Sequence, residues 1–290
     1  MTQNEKKIDE ITGTETTGHE WDGITELDTP MPRWWLIVFY VCIIWSVGYW
    51  FWYPTWPTFS GDGERGGTVG SAQWTQYKQL EESQAEINAL RAEYESRFET
   101  TSFEGIQADP TLYAFALAGG KSAFGDNCAT CHGTGGAGAS GYPNLNDDDW
   151  LWGGTVDDIY QTVSYGIRSP HEETRFSEMP AFADILSDSE VSDLASFVTA
   201  KAAGDDMPNI GAALYADNCA VCHADNASGD KTQGAPNLVD AIWFYGGTQG
   251  EIEAQIKKPK HGMMPAWQDR LSENTLRQLA IYVHSLGGGE

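Results

Sequence analysis

Hydrophobic and polar positions divide the chain into four stretches of different periodicity. Residues 1–33 are polar and acidic with no apolar repeat, which predicts a poorly ordered acidic tail. Residues 34–53 read WWLIVFYVCIIWSVGYWFWY, without a charge. At about 1.5 Å per residue, a helix of that length covers about 30 Å, the hydrocarbon thickness of a bilayer. Trp34, Trp35, Trp50, Trp52 and Trp56 crowd its two ends as an aromatic belt does, and Pro54 and Pro57 stop it. The run is too long and begins too late for a cleaved signal peptide, and no small-residue cleavage site follows it. It predicts one uncleaved transmembrane helix.

Residues 54–107 form a linker. Its first part, 60–70, is Gly-rich and turn-like, whereas 71–104 contains neither Gly nor Pro. Trp74, Tyr77, Leu80, Ile87, Leu90, Tyr94 and Phe98 recur there mostly at steps of three, four or seven, the stripe of a long amphipathic helix. The stripe suits either the chain's own domains or, the preferred reading, a seam against a partner subunit.

The fourth stretch, 108–290, is an internal duplication. Pro143-Asn144-Leu145, Trp150 and Gly153-Gly154 answer Pro236-Asn237-Leu238, Trp243 and Gly246-Gly247 at an offset of 93 residues. Met179-Pro180-Ala181 answers Met264-Pro265-Ala266 at an offset of 85, so the first copy carries about eight extra residues within 166–178. Each copy, 108–206 and 207–290, predicts an approach helix (111–127 and 210–218), an irregular loop, a short helix, a Met-Pro loop and a closing helix (187–202 and 272–286). Ser187 and Ser272 are natural N-caps, Glu190 stands at capping-box spacing, and Gly204 and Gly287 follow the last turns.

The chemistry lies at the end of each approach helix. Cys128-Ala129-Thr130-Cys131-His132 and Cys219-Ala220-Val221-Cys222-His223 both carry two thiols three residues apart with a histidine directly after. On one helical turn two such thiols can add to the two vinyl groups of a porphyrin, and the histidine reaches the iron from below. A zinc site of four cysteines would not need the histidines, and no βαβ setting for a redox dithiol is visible. The pattern predicts two covalently bound haem c groups. A mostly apolar haem also supplies buried surface that domains of this size lack.

Met179 and Met264 are the candidate sixth ligands, since a thioether opposite histidine raises the potential of an electron-transfer haem. The repeat and the Met-Pro pairing favour Met264 over Met263, and Met207 reads as a linker residue. The repeat suggests that each methionine serves its own copy, although two abutting copies can exchange loops. His19, His171, His261 and His284 read as surface or satisfied histidines, with His171 and His261 the two to watch because of their loops. Arg168, Arg175, Lys257, Lys258 and Lys260 suit either haem propionates or plain surface charge.

Of the five cysteines four serve the haem signatures, so no disulfide framework is left, and Cys42 reads as an apolar residue of the span. A formal charge of −25 argues against nucleic acid as partner and suits steering of a basic protein. Lys6, Lys7 and Arg33 precede the span and only Arg65 closely follows it. This weak positive-inside signal agrees with haem attachment outside the cytoplasmic membrane, and places the N-terminus in the cytoplasm and the haem domains in the periplasm of a bacterial inner membrane.

With one N-terminal span, an exported linker helix, two tandem Cys-x-x-Cys-His domains and the segments His171…Met179-Pro180-Ala181-Phe182 and His261-Gly262-Met263-Met264-Pro265-Ala266-Trp267, the chain resembles the dihaem subunit III (CcoP or FixP) of cbb3-type cytochrome c oxidases. The resemblance implies an all-α fold of one transmembrane helix and two tandem class I cytochrome c domains. It also implies an electron-relay role within an oxygen-reducing, proton-pumping complex. Its partners would be a donor cytochrome c, a monohaem subunit, a catalytic subunit and membrane lipid. The chain's own residues include no candidate for oxygen chemistry. The competing readings are a free-standing anchored dihaem carrier or dehydrogenase cytochrome subunit and, as an enzyme, a dihaem peroxidase.

Overall fold

The computed structural model describes residues 6–53, 70–205, 209–240 and 242–287. Pro54, Trp56, Pro57, Arg65 and Met207 lie outside the described residues. The chain forms two compact units, residues 1–90 and 91–290.

In the first unit the tail is not featureless. Strands β1 (Thr16–Trp21) and β2 (Ile24–Leu27) pair antiparallel, with Trp21 opposite Ile24. Asp22 and Gly23 join them with φ of 48° and 85°, the double positive φ of a tight hairpin turn. The expectation of an unordered tail is therefore corrected: Asp-Gly between β-tolerant residues is a hairpin signal even where charge is high. Helix α1 (Arg33–Trp52) follows and buries none of its side chains, so its apolar surface faces outward all round. Its length and composition are those of a membrane-crossing helix.

Helix α2 (Gln76–Thr100) starts later and ends earlier than the Gly- and Pro-free stretch, and α3 (Phe103–Ala108) follows a break at Thr101-Ser102. Ser102 caps α3 by accepting from the Gly105 N–H. Of the α2 stripe only Phe98 is buried, while Tyr77, Leu80, Ile87 and Leu90 are exposed.

The second unit contains both repeats. The first copy supplies α4 (Pro110–Asn127), α5 (Ala129–His132), α6 (Val156–Tyr165) and α7 (Asp188–Ala203). The second supplies α8 (Asn209–Asn218), α9 (Ala220–His223), α10 (Gln249–Lys257) and α11 (Glu273–His284). Three of the predicted caps are present: Ser187 and Glu190 form a capping box, Ser272 accepts from the Thr275 N–H, and Gly204 closes α7 at φ 72°, whereas α11 ends at His284 with Ser285 as its C-cap, two residues before Gly287.

The two copies do not each close on themselves. Closing helix α11 packs on α4 and α6 of the first copy, and α7 packs on α8 and α10 of the second. One core therefore joins Leu112, Phe124, Ile159 and Val163 to Leu276, Leu279 and Ile281, all buried. The other joins Val191, Leu194 and Phe197 to Tyr215, Ile252 and Ile256. The linker helices enter the first core through Phe98 and Ile106, so the structural unit begins before the repeat does. Arg277 of α11, itself buried, donates to the carbonyls of Phe98, Glu99 and Thr101 at the C-terminal end of α2, and its guanidinium lies 5.1 Å from the Phe98 and Phe103 ring centres. A cation there satisfies carbonyls that the helix leaves unpaired.

The exchange has a local cause. Five residues separate α7 from α8, a connection short enough to fold the two back as a helical hairpin. That leaves α11 as the partner for α4. Glycines permit both contacts: a Cβ on Gly120 would run into the Gln278 backbone and Tyr282, and one on Gly211 would stand 2.5 Å from the Phe197 Cβ.

Candidate haem c sites

Each signature sits where a long helix ends and a single turn follows. At the first, the His132 N–H donates to the Cys128 carbonyl at 3.0 Å, which sets Cys128 and Cys131 one turn apart in α5. At the second, the His223 N–H reaches the Cys219 carbonyl at 2.9 Å through α9. All five cysteines are unpaired. Burial pushes the Cys128 and Cys219 thiols up to about 11, and the neighbouring Cys131 and Cys222 add to the shift. Both remain neutral thiols at physiological pH.

The histidines are oriented alike. His132 Nδ1 lies 3.2 Å from the Pro143 carbonyl and His223 Nδ1 lies 3.0 Å from the Pro236 carbonyl. A carbonyl can only accept, so Nδ1 carries the proton and Nε2 keeps its lone pair for a metal. Burial pulls both imidazoles below their ordinary pKa, against the smaller opposing effect of those hydrogen bonds. The neutral form that binds iron is favoured. Paired thiols on one turn, an imidazole with a free Nε2 and an adjoining apolar core fit a covalently held haem c.

The methionines follow the exchange. Met264 packs against the core that holds Cys128, Ala129 and Trp150, whereas Met179 packs against the core that holds Cys219, Ala220 and Trp243. Ile167 and Met264 exchange two backbone hydrogen bonds of 3.0 Å, tying the second copy's loop to the end of α6. Gly166 is required beside them: a Cβ there would overlap the Met264 carbonyl and the Pro265 backbone. Met263 is 67 % exposed while its neighbour Met264 is partly buried.

Two family descriptions match the sequence. The N-terminal domain of cytochrome oxidase-cbb3, FixP, matches residues 13–60, and the cbb3-type cytochrome c oxidase subunit III matches 115–198 and again 206–283. The cbb3-type cytochrome c oxidase subunit FixP of Rhizobium meliloti is 47 % identical, with 100 % of each chain covered. The subunit FixP of Bradyrhizobium diazoefficiens is 43 % identical with 98 % of each covered, and the subunit CcoP of Cereibacter sphaeroides is 45 % identical with 95 % of each. The chain belongs to the cbb3-type cytochrome c oxidase subunit III family. As a member it is a cytochrome c subunit of an oxidase complex with haem c domains, and helix α1 fits a membrane anchor.

Other loop residues have protein partners in this cbb3-type subunit. Arg175 donates to the Trp152 and Asp158 carbonyls and to the Asp158 carboxylate at 3.0 Å, Lys257 pairs with Asp188 at 2.6 Å, and Lys260 lies over the Tyr245 ring. The His171 ring lies 4.9 Å from the Tyr165 ring, tilted by 34°, and its Nδ1 accepts the Glu173 N–H. His261 Nε2 donates to the Met179 carbonyl at 3.1 Å. Sequence reasoning missed the buried Arg277, and it left open whether the two copies exchange their methionine loops. Both depend on which copy α11 packs against, and the repeat makes the two copies alike.

Proposed function

We propose that the chain binds two haem c groups and relays electrons from a donor cytochrome c to the monohaem subunit, and so to the catalytic, oxygen-reducing subunit. Cys128, Cys131, Cys219 and Cys222 form the thioethers. His132 with Met264 holds one iron and His223 with Met179 the other. Each haem supplies a one-electron iron couple whose potential is raised by sulfur opposite nitrogen. The protein orients the imidazoles through the Pro143 and Pro236 carbonyls and presents each sulfur from a proline-stiffened loop of the opposite copy. The N-terminus is cytoplasmic, α1 spans a bacterial inner membrane, and the haem domains are periplasmic. The exposed stripe of Tyr77, Leu80, Ile87 and Leu90 is a seam for partner subunits.

The observation that carries this reading is the pairing of each Cys-x-x-Cys-His turn with one Met-Pro loop in a common core. Redox titration of the full chain tests it. The component missing from a Cys128→Ala, Cys131→Ala variant identifies the first haem. Met264→Ala is then expected to lower the potential of that component and leave the other, and Met179→Ala to do the reverse. Met264→Ala acting on the surviving component would overturn the crossed assignment. For the relay role, purification in mild detergent is expected to bring down a partner containing b haem and copper, and two c haems per copy of this chain.

A further inference from the structure

The loops that carry Met179 and Met264 meet at a single side chain. Arg168 donates from Nε to the Gly262 carbonyl at 2.7 Å and from Nη1 to the Ser177 carbonyl at 2.8 Å. At the 85-residue offset Ser177 answers Gly262, and each stands two residues before its Met-Pro pair. One guanidinium thus bonds the same carbonyl in both copies. At the 93-residue offset the position answering Arg168 is His261, which reaches only the Met179 loop, through the Met179 carbonyl. The two-fold likeness of the copies is broken at this residue, where the first copy's extra residues begin.

The backbone is held in place for this role. Arg168 has φ +50°, a conformation that side chains with a Cβ seldom adopt. Its N–H donates to the Arg175 carbonyl at 2.9 Å, and the preceding Ile167 is locked to Met264 on both sides. The side chain is half-buried, and burial lowers its pKa against the smaller opposing effects of Tyr245 and Glu178. A guanidinium offers five donors in a rigid fork, and a charged donor strengthens each bond it makes to a carbonyl. Lysine, a point charge on a flexible stem, does not reproduce that geometry.

We propose that Arg168 is a positioning residue that clamps both methionine loops together, so that sulfur ligation at the two irons is held as one unit. This rests on the reading of Met179 and Met264 as axial ligands. The test uses the full chain, matured and solubilised with its haem content measured. Arg168→Lys keeps the charge and loses the fork; Arg168→Gln loses the charge as well. In both, the far-red sulfur-to-iron absorption of the oxidised protein is expected to weaken at both haems and both midpoint potentials to fall. His261→Ala is expected to disturb one haem only, the one served by Met179. An effect of the Arg168 variants on one haem alone, or on neither, overturns the clamp. Met179→Ala and Met264→Ala report separately: if neither removes a sulfur band the ligand reading itself fails, and if both do while the Arg168 variants keep both bands, only the clamp fails. Hydrogen exchange on the unaltered protein covers the case in which the variants do not attach two haems. Peptides 174–182 and 259–267 share one clamp, so their amides are expected to open at rates within about tenfold of each other. A wider separation overturns the proposal.

Discussion

Asp149 shows how burial and like charge act on one group. One of its oxygens is buried without a hydrogen-bond partner among the described residues. Burial, then the carboxylates of Asp240 and Asp147, push its pKa up to about 6 from 3.8, with Lys231 opposing. The folded protein therefore holds a proton that the unfolded chain has lost between pH of about 4 and 6. The group's contribution falls as pH rises through that window, and at neutral pH the ionised carboxylate is a net cost. Asp149→Asn is expected to stabilise the protein at pH 7 by on the order of 1 kcal/mol, after allowance for solvent screening, and to change little near pH 3. Thermal unfolding at the two pH values checks this, and an equal effect at both would point to packing instead. Nothing in the sequence marks Asp149 out among its acidic neighbours, because Asp240 comes from the other copy. The haem signatures are the opposite case. Their chemistry depends on residues three and four apart, a spacing that is local and therefore readable.

At the scale of elements, the crossing of α4 and α11 depends on a small surface at Gly120. Gly120→Ala is expected to destabilise the first core by about 1–3 kcal/mol, the usual cost of forcing added volume into a packed contact. Gly125 lies in the same helix, and a Cβ added there would meet nothing within 4 Å. Gly125→Ala should be neutral or stabilising by up to about 1 kcal/mol through helix propensity. Chemical denaturation of both variants decides whether contact or propensity governs α4; equal effects would remove the close-packing account. Helix ends were legible for a related reason. Caps such as Ser187 with Glu190 satisfy backbone groups within one turn, so they are written next to the helix they stop. The hairpin at Asp22-Gly23 was equally local, and charge in the surrounding tail obscured it.

For the whole molecule, the exchange of closing helices makes the repeats interdependent. A chain ending at Gly204 keeps Cys128–His132 yet loses Met264 and the buried Leu276, Leu279 and Ile281. At about 1.5–3 kcal/mol for each large apolar side chain, that loss is comparable with the whole stability of a small domain. Such a chain is expected to show a circular dichroism signal well below that of its helices and no six-coordinate haem. A folded, methionine-ligated fragment would mean that the copies close on themselves. The charge of −25 acts over the same scale. Association with a basic cytochrome c is expected to slow as salt is raised, since screening shortens the reach of the field to about 8 Å near physiological ionic strength. Stopped-flow rates independent of salt would exclude steering.

The sequence by itself determined the two Cys-x-x-Cys-His turns, a helix long and apolar enough to cross a membrane, the duplication and most helix ends, because each is set by residues close together along the chain. Only the tertiary structure decided which closing helix covers which signature, which methionine loop joins which core, and that Arg168 and Arg277 bind carbonyls of distant segments. Two copies with matching apolar faces satisfy either pairing equally well in sequence. The short connection between α7 and α8, and the close approach allowed at Gly120 and Gly211, break that tie only in three dimensions.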